Sequence, residues 1–229
     1  MTLPLLLSVP HAGLVIPAAV QDLCILSEKE IIEDGDEGAS AIYLPLQGKV
    51  SALVTTSVAR AIVDMNRAAD DRGKDGVIKT HTCWDIHIYK ALPTEEMVTT
   101  LLEIFYKPYH TSLTQHATYV YCGIDCHTMA AQGPPVGPDP GRERPAICIS
   151  NAGSTCPMEW ITSLAACFEE VFEKEVSINT PFKGGFTICS HANELPWVQL
   201  ELSRDPTVAN QEKSIRVFKA LEKWCKITW

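Results

Sequence analysis

Two histidines carry the most chemical weight in this chain. His11 lies in Ser8-Val9-Pro10-His11-Ala12-Gly13, where the apolar run Leu3 to Val9 stops at a Pro-His-x-Gly turn. His127 lies in Asp125-Cys126-His127, after a second apolar run from Ala117 to Ile124. An imidazole at the end of a buried strand stands at the mouth of a sheet, where open α/β sheets hold their ligands. Neutral imidazole is also the commonest protein ligand for a metal ion. Two histidines and a carboxylate, with a position left open for water, make a hydrolytic zinc site. Such a metal lowers the pKa of its water and polarises a carbonyl. The carboxylate could come from Asp34 or Asp36 in the acidic patch Glu33-Asp34-Gly35-Asp36-Glu37. The same patch also reads as a helix start, with Asp36 as the cap of a helix over 37–44.

Other polar residues lie beside apolar runs. Asp125 could orient His127 by accepting its second ring N–H, or could bond local backbone. Glu201 interrupts Val198-Gln199-Leu200-Glu201-Leu202. If buried there, its pKa rises towards that of a general base. Simple alternation is the competing reading: Gln199, Glu201 and Ser203 would form the solvent face of an edge strand. Arg67 follows Ala61-Ile62-Val63 closely, with Asn66 beside it. Its planar fork suits a substrate carboxylate, and it could equally pair with Asp64, Asp70 or Asp71. Gly184-Gly185 would let backbone approach a ligand, or form a turn.

Alternating elements must position these residues. Short apolar or β-branched runs predict strands over 3–9, 50–56, 61–64, 118–125, 146–150, 176–179, 185–189 and 198–202. Helical spacing predicts helices over 28–33, 37–44, 95–116, 158–174 and 210–225. Pro108 should kink or split the third of these. Strands separated by helices predict a single α/β domain over 1–229, with a mixed, mostly parallel sheet flanked by helices. The polar segment 68–82 and the proline-rich segment 131–143 read as long surface loops, which are often functional.

Composition narrows the function classes. The chain has 229 residues, is 46% hydrophobic and 21% charged, and carries a formal net charge of −9. That charge argues against nucleic acid as a partner. No apolar stretch approaches the roughly 20 residues of a membrane span, and the first residues lack the basic start of a signal peptide. Nine cysteines, mostly inside apolar runs, suggest reduced thiols and a cytoplasmic protein. Cys122 and Cys126 would share one strand face about 13 Å apart, too far for one metal.

Taken in order, seven segments resemble the N-formylglutamate amidohydrolase family, which belongs with the zinc carboxypeptidase-like hydrolases and is related to aspartoacylase. They are Ser8 to Gly13 with Ile16-Pro17, Asp34-Gly35-Asp36, Val63-Asp64-Met65-Asn66-Arg67, Asp125-Cys126-His127-Thr128-Met129, Asn151 to Cys156, Pro181-Phe182-Lys183-Gly184-Gly185 and Val198 to Leu202. The resemblance implies a zinc-exopeptidase-like hydrolase fold and one zinc ion per chain held by His11, Asp36 and His127. It implies a carboxylate-bearing small-molecule substrate held by Asn66 and Arg67. It makes Glu201 the general base and Arg67 a second catalytic candidate. Arg142 or Arg144 is the candidate for a second substrate charge, and Lys183 is a further substrate-binding candidate. The implied reaction is hydrolysis of an N-acyl amino acid, N-formylglutamate above all, or of a related small peptide. The chain departs from the family pattern at Glu37-Gly38 and at Cys189-Ser190-His191, which bears on substrate identity more than on reaction class. Two other classes compete: a non-catalytic binding protein on the same fold, and a cysteine hydrolase or redox protein using Cys126 or Cys156.

Overall fold

The computed structural model describes residues 2–229. Its centre is β1 (Leu3–Val9), which pairs in parallel with β2 (Val50–Thr55) on one side and with β3 (Cys122–Met129) on the other. Both faces of β1 are covered, so the run is almost continuously apolar instead of alternating. The remaining strands are β4 (Ile147–Ser150), β5 (Val176–Ile178) and β6 (Trp197–Ser203), and the order across the sheet is β2-β1-β3-β6-β4-β5. β3 and β6 are parallel, β4 runs antiparallel to β6, and β5 runs parallel to β4. The result is the expected mixed, mostly parallel sheet in one α/β domain.

A separate core covers each face of the sheet. On one face lie α3 (Ala39–Tyr43), α6 (Met158–Phe172) and α8 (Asn210–Thr228). Ile161, Leu164, Ala165, Phe168 and Phe172 recur at three- and four-residue steps along α6 and bury its inner stripe. On the other face lie α4 (Glu95–Leu101) and α5 (Lys107–Ala117). A wider π turn, Leu102–Tyr106, joins them into one helical run, so Pro108 does not split it. Proline lacks an N–H and crowds the carbonyl four residues back, here Ile104 inside the widened turn, which relieves both problems. Three shorter helices complete the chain: α1 (Ala18–Gln21), α2 (Glu28–Asp34) and α7 (Phe186–Ser190). A capping box between Ser27 and Glu30 starts α2. Among the described residues, no helix is long and apolar enough to cross a membrane.

Three expected strand segments differ. Residues 61–64 are fully buried but form a turn under the second core. Their apolar run reports burial, which a tucked loop satisfies as well as a strand does. Residues 185–189 fold largely into α7 instead of a strand. β3 begins at Cys122, not 118, and continues through His127 to Met129.

The alternation along β3 and β6 positions the polar residues. Cys122, Ile124 and Cys126, with Val198, Leu200 and Leu202, join the first core. Asp125, His127, Gln199 and Glu201 therefore point to the other face. Towards the carboxyl ends of these strands that face opens into a cavity of about 420 Å³, a size usual for small-molecule sites. β1 and β3 also flank the point where the chain, having gone one way to β2, crosses to the other side. Ligands of open α/β sheets sit at such a switch point.

Candidate functional site

His11 stands two residues beyond the end of β1, held in a tight turn. A Cβ on Gly13 would lie 2.4 Å from the backbone of Ser57, so only glycine lets the turn close there. The His11 Nε2–H donates to Asp64 Oδ1 at 2.8 Å. Its Nδ1 is buried and, among the described residues, has no hydrogen-bond partner; it lies 3.5 Å from Asp36 Oδ1. His127 mirrors this arrangement. Its Nε2–H donates to Asp125 Oδ2 at 2.8 Å, and its Nδ1 lies 3.0 Å from Asp36 Oδ2. The two rings are 4.9 Å apart between centroids. One ligand-capable atom from each of His11, Asp36 and His127 lies within 4.8 Å of the other two, and all three residues are buried.

This donor set suits a divalent metal. Two neutral imidazole nitrogens and one carboxylate oxygen are ligands that zinc accepts. Both far nitrogens are already tied to carboxylates, an arrangement that orients metal-binding histidines and raises their basicity. The unpartnered Nδ1 of His11 also needs a partner, because a buried polar atom without one is costly.

The electrostatics follow from this crowding. Burial pushes the Asp36 carboxyl up, but His11 and His127 outweigh it and hold it well below the usual carboxylate range. Burial likewise opposes charge on His127, yet Asp125 and Glu201 raise its pKa well above the usual imidazole value. Asp64 is held well below its usual value: burial acts upward, but His11 and Arg60 win.

The structure separates Asp34 from Asp36. Asp34 turns away into a buried ion pair, with Lys79 Nζ at 3.0 and 3.1 Å from its two oxygens. It also accepts the Cys83 N–H at 2.6 Å. Asp36 does not cap α3: Gly38 holds the cap position, and the Asp36 side chain faces the histidines.

Glu201 lies directly opposite His127 in the β3–β6 register. It is only 6% exposed, so the edge-strand reading fails. β6 is an inner strand, and its polar face lines the cavity, not the solvent. Burial is the chief cause raising the Glu201 pKa above the usual value. Gln199 Nε2 donates to Glu201 Oε1 at 2.9 Å, and among the described residues Oε2 has no partner.

The expected substrate residues all line the cavity: Asn66, Arg67, Arg144 and Lys183. Asn66 faces inward. Its Oδ1 accepts the Thr187 N–H at 2.8 Å, and its Nδ2 is 3.4 Å from His127 Nε2. A Cβ on Gly185 would lie 2.3 Å from that amide, which explains the second glycine of Gly184-Gly185. Arg67 pairs with Asp75, not with Asp64, Asp70 or Asp71. Asp64 is taken instead by His11 and Arg60. Arg144 pairs with Asp139, and Arg142 does not line the cavity. Lys183 is exposed at the rim, and among the described residues it has no ion-pair partner.

Sequence reasoning missed several neighbours. Arg60 reaches Asp64 at 3.0 Å and the Asp34 carbonyl at 3.1 Å. The four-residue step from Arg60 to Asp64 was the available signal. Arg204 reaches the Gly35 carbonyl at 2.5 Å and stands 3.8 Å from Asp36 Oδ1. Asp75, Asp139 and Trp84 carried no signal beyond their place in or beside polar loops. Cys83 lies in the cavity lining, but the two candidate nucleophiles do not. All nine cysteines are free, but Cys126 and Cys156 are packed in the first core and neither lines the cavity. Burial pushes the Cys126 thiol well up, which disfavours the thiolate a nucleophile requires.

The sequence of residues 3–207 matches the family model for N-formylglutamate amidohydrolase. The chain belongs to that family. Its fold is shared by the crystal structure of N-formylglutamate amidohydrolase from Ralstonia eutropha JMP134, with a TM-score of 0.77, 19% identity, and coverage of 98% of this chain and 92% of that one. A gene product of Agrobacterium tumefaciens is similar to the same degree, with a TM-score of 0.77, 20% identity, and coverage of 99% and 90%. No curated protein sequence matches the chain. Membership of the N-formylglutamate amidohydrolase family makes this a hydrolase of the amidohydrolase type.

Proposed function

We propose that the protein is a metal-dependent hydrolase of N-acyl amino acids, with N-formylglutamate as its leading substrate. The observation that carries this reading is the convergence of His11, Asp36 and His127, with Asp64 and Asp125 behind the histidines and Glu201 across from them. His11 and His127 would hold the ion through Nδ1, and Asp36 through a carboxylate oxygen. Bound there, a zinc ion would lower the pKa of water and polarise the amide carbonyl.

The chain's own residues supply the rest. Glu201 is the proton carrier, because burial raises its pKa above the usual carboxylate value and so eases both the uptake and the return of a proton. Its free Oε2 takes a proton from the water that attacks the formyl carbon. The same oxygen passes that proton to the amine nitrogen as the C–N bond breaks, releasing formate and the free amino acid. Gln199 fixes the carboxylate through Oε1. Arg67 and Arg144 hold the substrate's carboxylates, and Lys183 adds charge at the rim.

The test is a screen of purified, zinc-loaded protein against N-formyl and N-acetyl amino acids. N-formylglutamate should be cleaved fastest, and chelation should abolish turnover until zinc is restored. Turnover that survives thorough chelation, or no turnover with any loaded metal, would refute this reading.

A further inference from the structure

Arg67 and Arg144 share an arrangement that their roles as substrate contacts do not by themselves require. A guanidinium has five N–H donors, which form one fork along the side (Nε and Nη2) and another at the end (Nη1 and Nη2). In Arg67 the side fork is consumed by one residue: Nε donates to the Asp75 carbonyl at 2.7 Å and Nη2 to Asp75 Oδ2 at 2.5 Å. Nη1 donates once more, to the Asn66 carbonyl at 3.2 Å. Among the described residues two donors remain unpartnered, one on each terminal nitrogen, the set that grips a carboxylate end-on.

Arg144 repeats the arrangement. Its Nε donates to Asp139 Oδ2 at 2.8 Å and its Nη2 to Asp139 Oδ1 at 2.7 Å. The guanidinium also lies over the Phe182 ring, 4.8 Å from its centroid. Its side chain is only 5% exposed, yet Nη1 has no partner among the described residues and the residue lines the cavity. Asp139 is outside the cavity lining, so it grips the guanidinium from behind.

Each acid is itself restrained. Asp75 Oδ1 is 2.9 Å from Lys79 Nζ, and Lys79 is completely buried against Asp34. Asp139 is 7% exposed. An arginine left alone loses rotamer freedom on binding an anion, whereas one already clamped through its side fork does not.

We propose that Asp75 and Asp139 are positioning residues. Each locks the side fork of one arginine so that its end fork is presented, preorganised, to a carboxylate in the cavity. The inference rests on the proposed function for the identity of that ligand, a carboxylate-bearing substrate, but not for the geometry of the clamp.

The experiment titrates the zinc-loaded chain with glutarate by calorimetry. Asp75→Asn and Asp139→Asn should each raise the dissociation constant about tenfold, the scale of losing a charge-assisted hydrogen bond. Arg67→Lys and Arg144→Lys, which keep the charge and lose the fork, should do the same. In each lysine background, the matching Asp→Asn change should cost less than about twofold more, because its target is gone. Wild-type binding in the asparagine variants would overturn the proposal. So would a penalty that persists undiminished in the lysine background, the mark of a merely structural role. Should Asp139→Asn lose its thermal transition, Asp139→Glu decides for that fork: it keeps the charge but displaces the carboxylate, so weakened glutarate binding in the wild-type but not in the Arg144→Lys background supports the role, and wild-type binding or a penalty equal in both overturns it. If N-formylglutamate is not hydrolysed while this pattern holds, the proposed function falls and the positioning role stands. If hydrolysis proceeds with no dependence on Asp75 or Asp139, only the positioning role falls.

Discussion

His127 lies directly opposite Glu201 across the parallel β3–β6 ladder. Both side chains therefore leave the sheet on the same face, one beside the other. A slip of one residue would send Glu201 into the apolar core instead. The pairing of this histidine with a buried carboxylate is thus a property of strand register, fixed by the apolar alternation of Leu200 and Leu202 beneath it.

Asp36 and Asp34 should respond in opposite ways to removal of charge. Asp36→Asn should abolish stoichiometric zinc binding while leaving the fold intact. Asp34→Asn should retain the metal but lower stability by about 3–5 kcal/mol, because it uncouples Lys79 from a buried partner. Metal analysis and urea denaturation of both variants check this. Zinc retained in Asp36→Asn would remove it from the ligand set.

Asp64 and Asp125 hold the far nitrogens of the two histidines. Asp64→Asn and Asp125→Asn should each weaken zinc binding by about 10–100-fold, since they loosen ring orientation without removing a ligand. Competition with a calibrated chelator gives the number. Unchanged affinity would mean the carboxylates serve only packing.

Glu201→Gln keeps the shape and the contact with Gln199 but cannot carry a proton. It should bind metal normally and lose turnover by about 10²–10⁴-fold. Retention of most activity in a metal-loaded sample would assign the proton transfer elsewhere.

His110 makes stability pH-dependent. Its Nε2–H donates to the Met65 carbonyl at 3.0 Å, and its Nδ1 faces His191 Nε2 at 2.9 Å. Burial first, then His191, pushes its pKa down from 6.5 to about 4. The unfolded chain therefore takes up a proton that the folded one refuses between these values. The stabilisation is complete above about pH 6.5 and is lost as pH falls towards 4, on the order of 3 kcal/mol in all. Urea unfolding at pH 7.5 and 4.5 reads it directly. His110→Gln should flatten the difference, and an equally steep loss in that variant would point to other groups.

Much of this was legible in the residues themselves. β1 was visible because a strand covered on both faces needs an unbroken apolar run. α6 and α8 were visible because their buried stripes repeat at helical spacing. The turn at 61–64 and the helix at 186–190 were not, because a short apolar run reports burial without saying which backbone provides it. Asn66, Arg67, Arg144 and Lys183 were all found as cavity residues, but the acids that hold two of them were not. Asp75 and Asp139 sit in loops whose path depends on distant contacts, such as the Val136 N–H bonding the Cys83 carbonyl at 3.0 Å.

By itself, the sequence determined the α/β class and the family, and it marked out two strand-end histidines and a late glutamate as candidates. Those are written in local patterns: apolar period, turn residues and ordered motifs. Only the tertiary structure decided between Asp34 and Asp36, turned Glu201 from a surface residue into a buried one, and matched each arginine with its acid. The carboxylate choice depends on contacts across tens of residues, Asp34 with Lys79 and Asp36 with His127. The arginines and their acids are only eight and five residues apart, but their pairing too is set by loop packing against the sheet, which no short stretch of sequence contains.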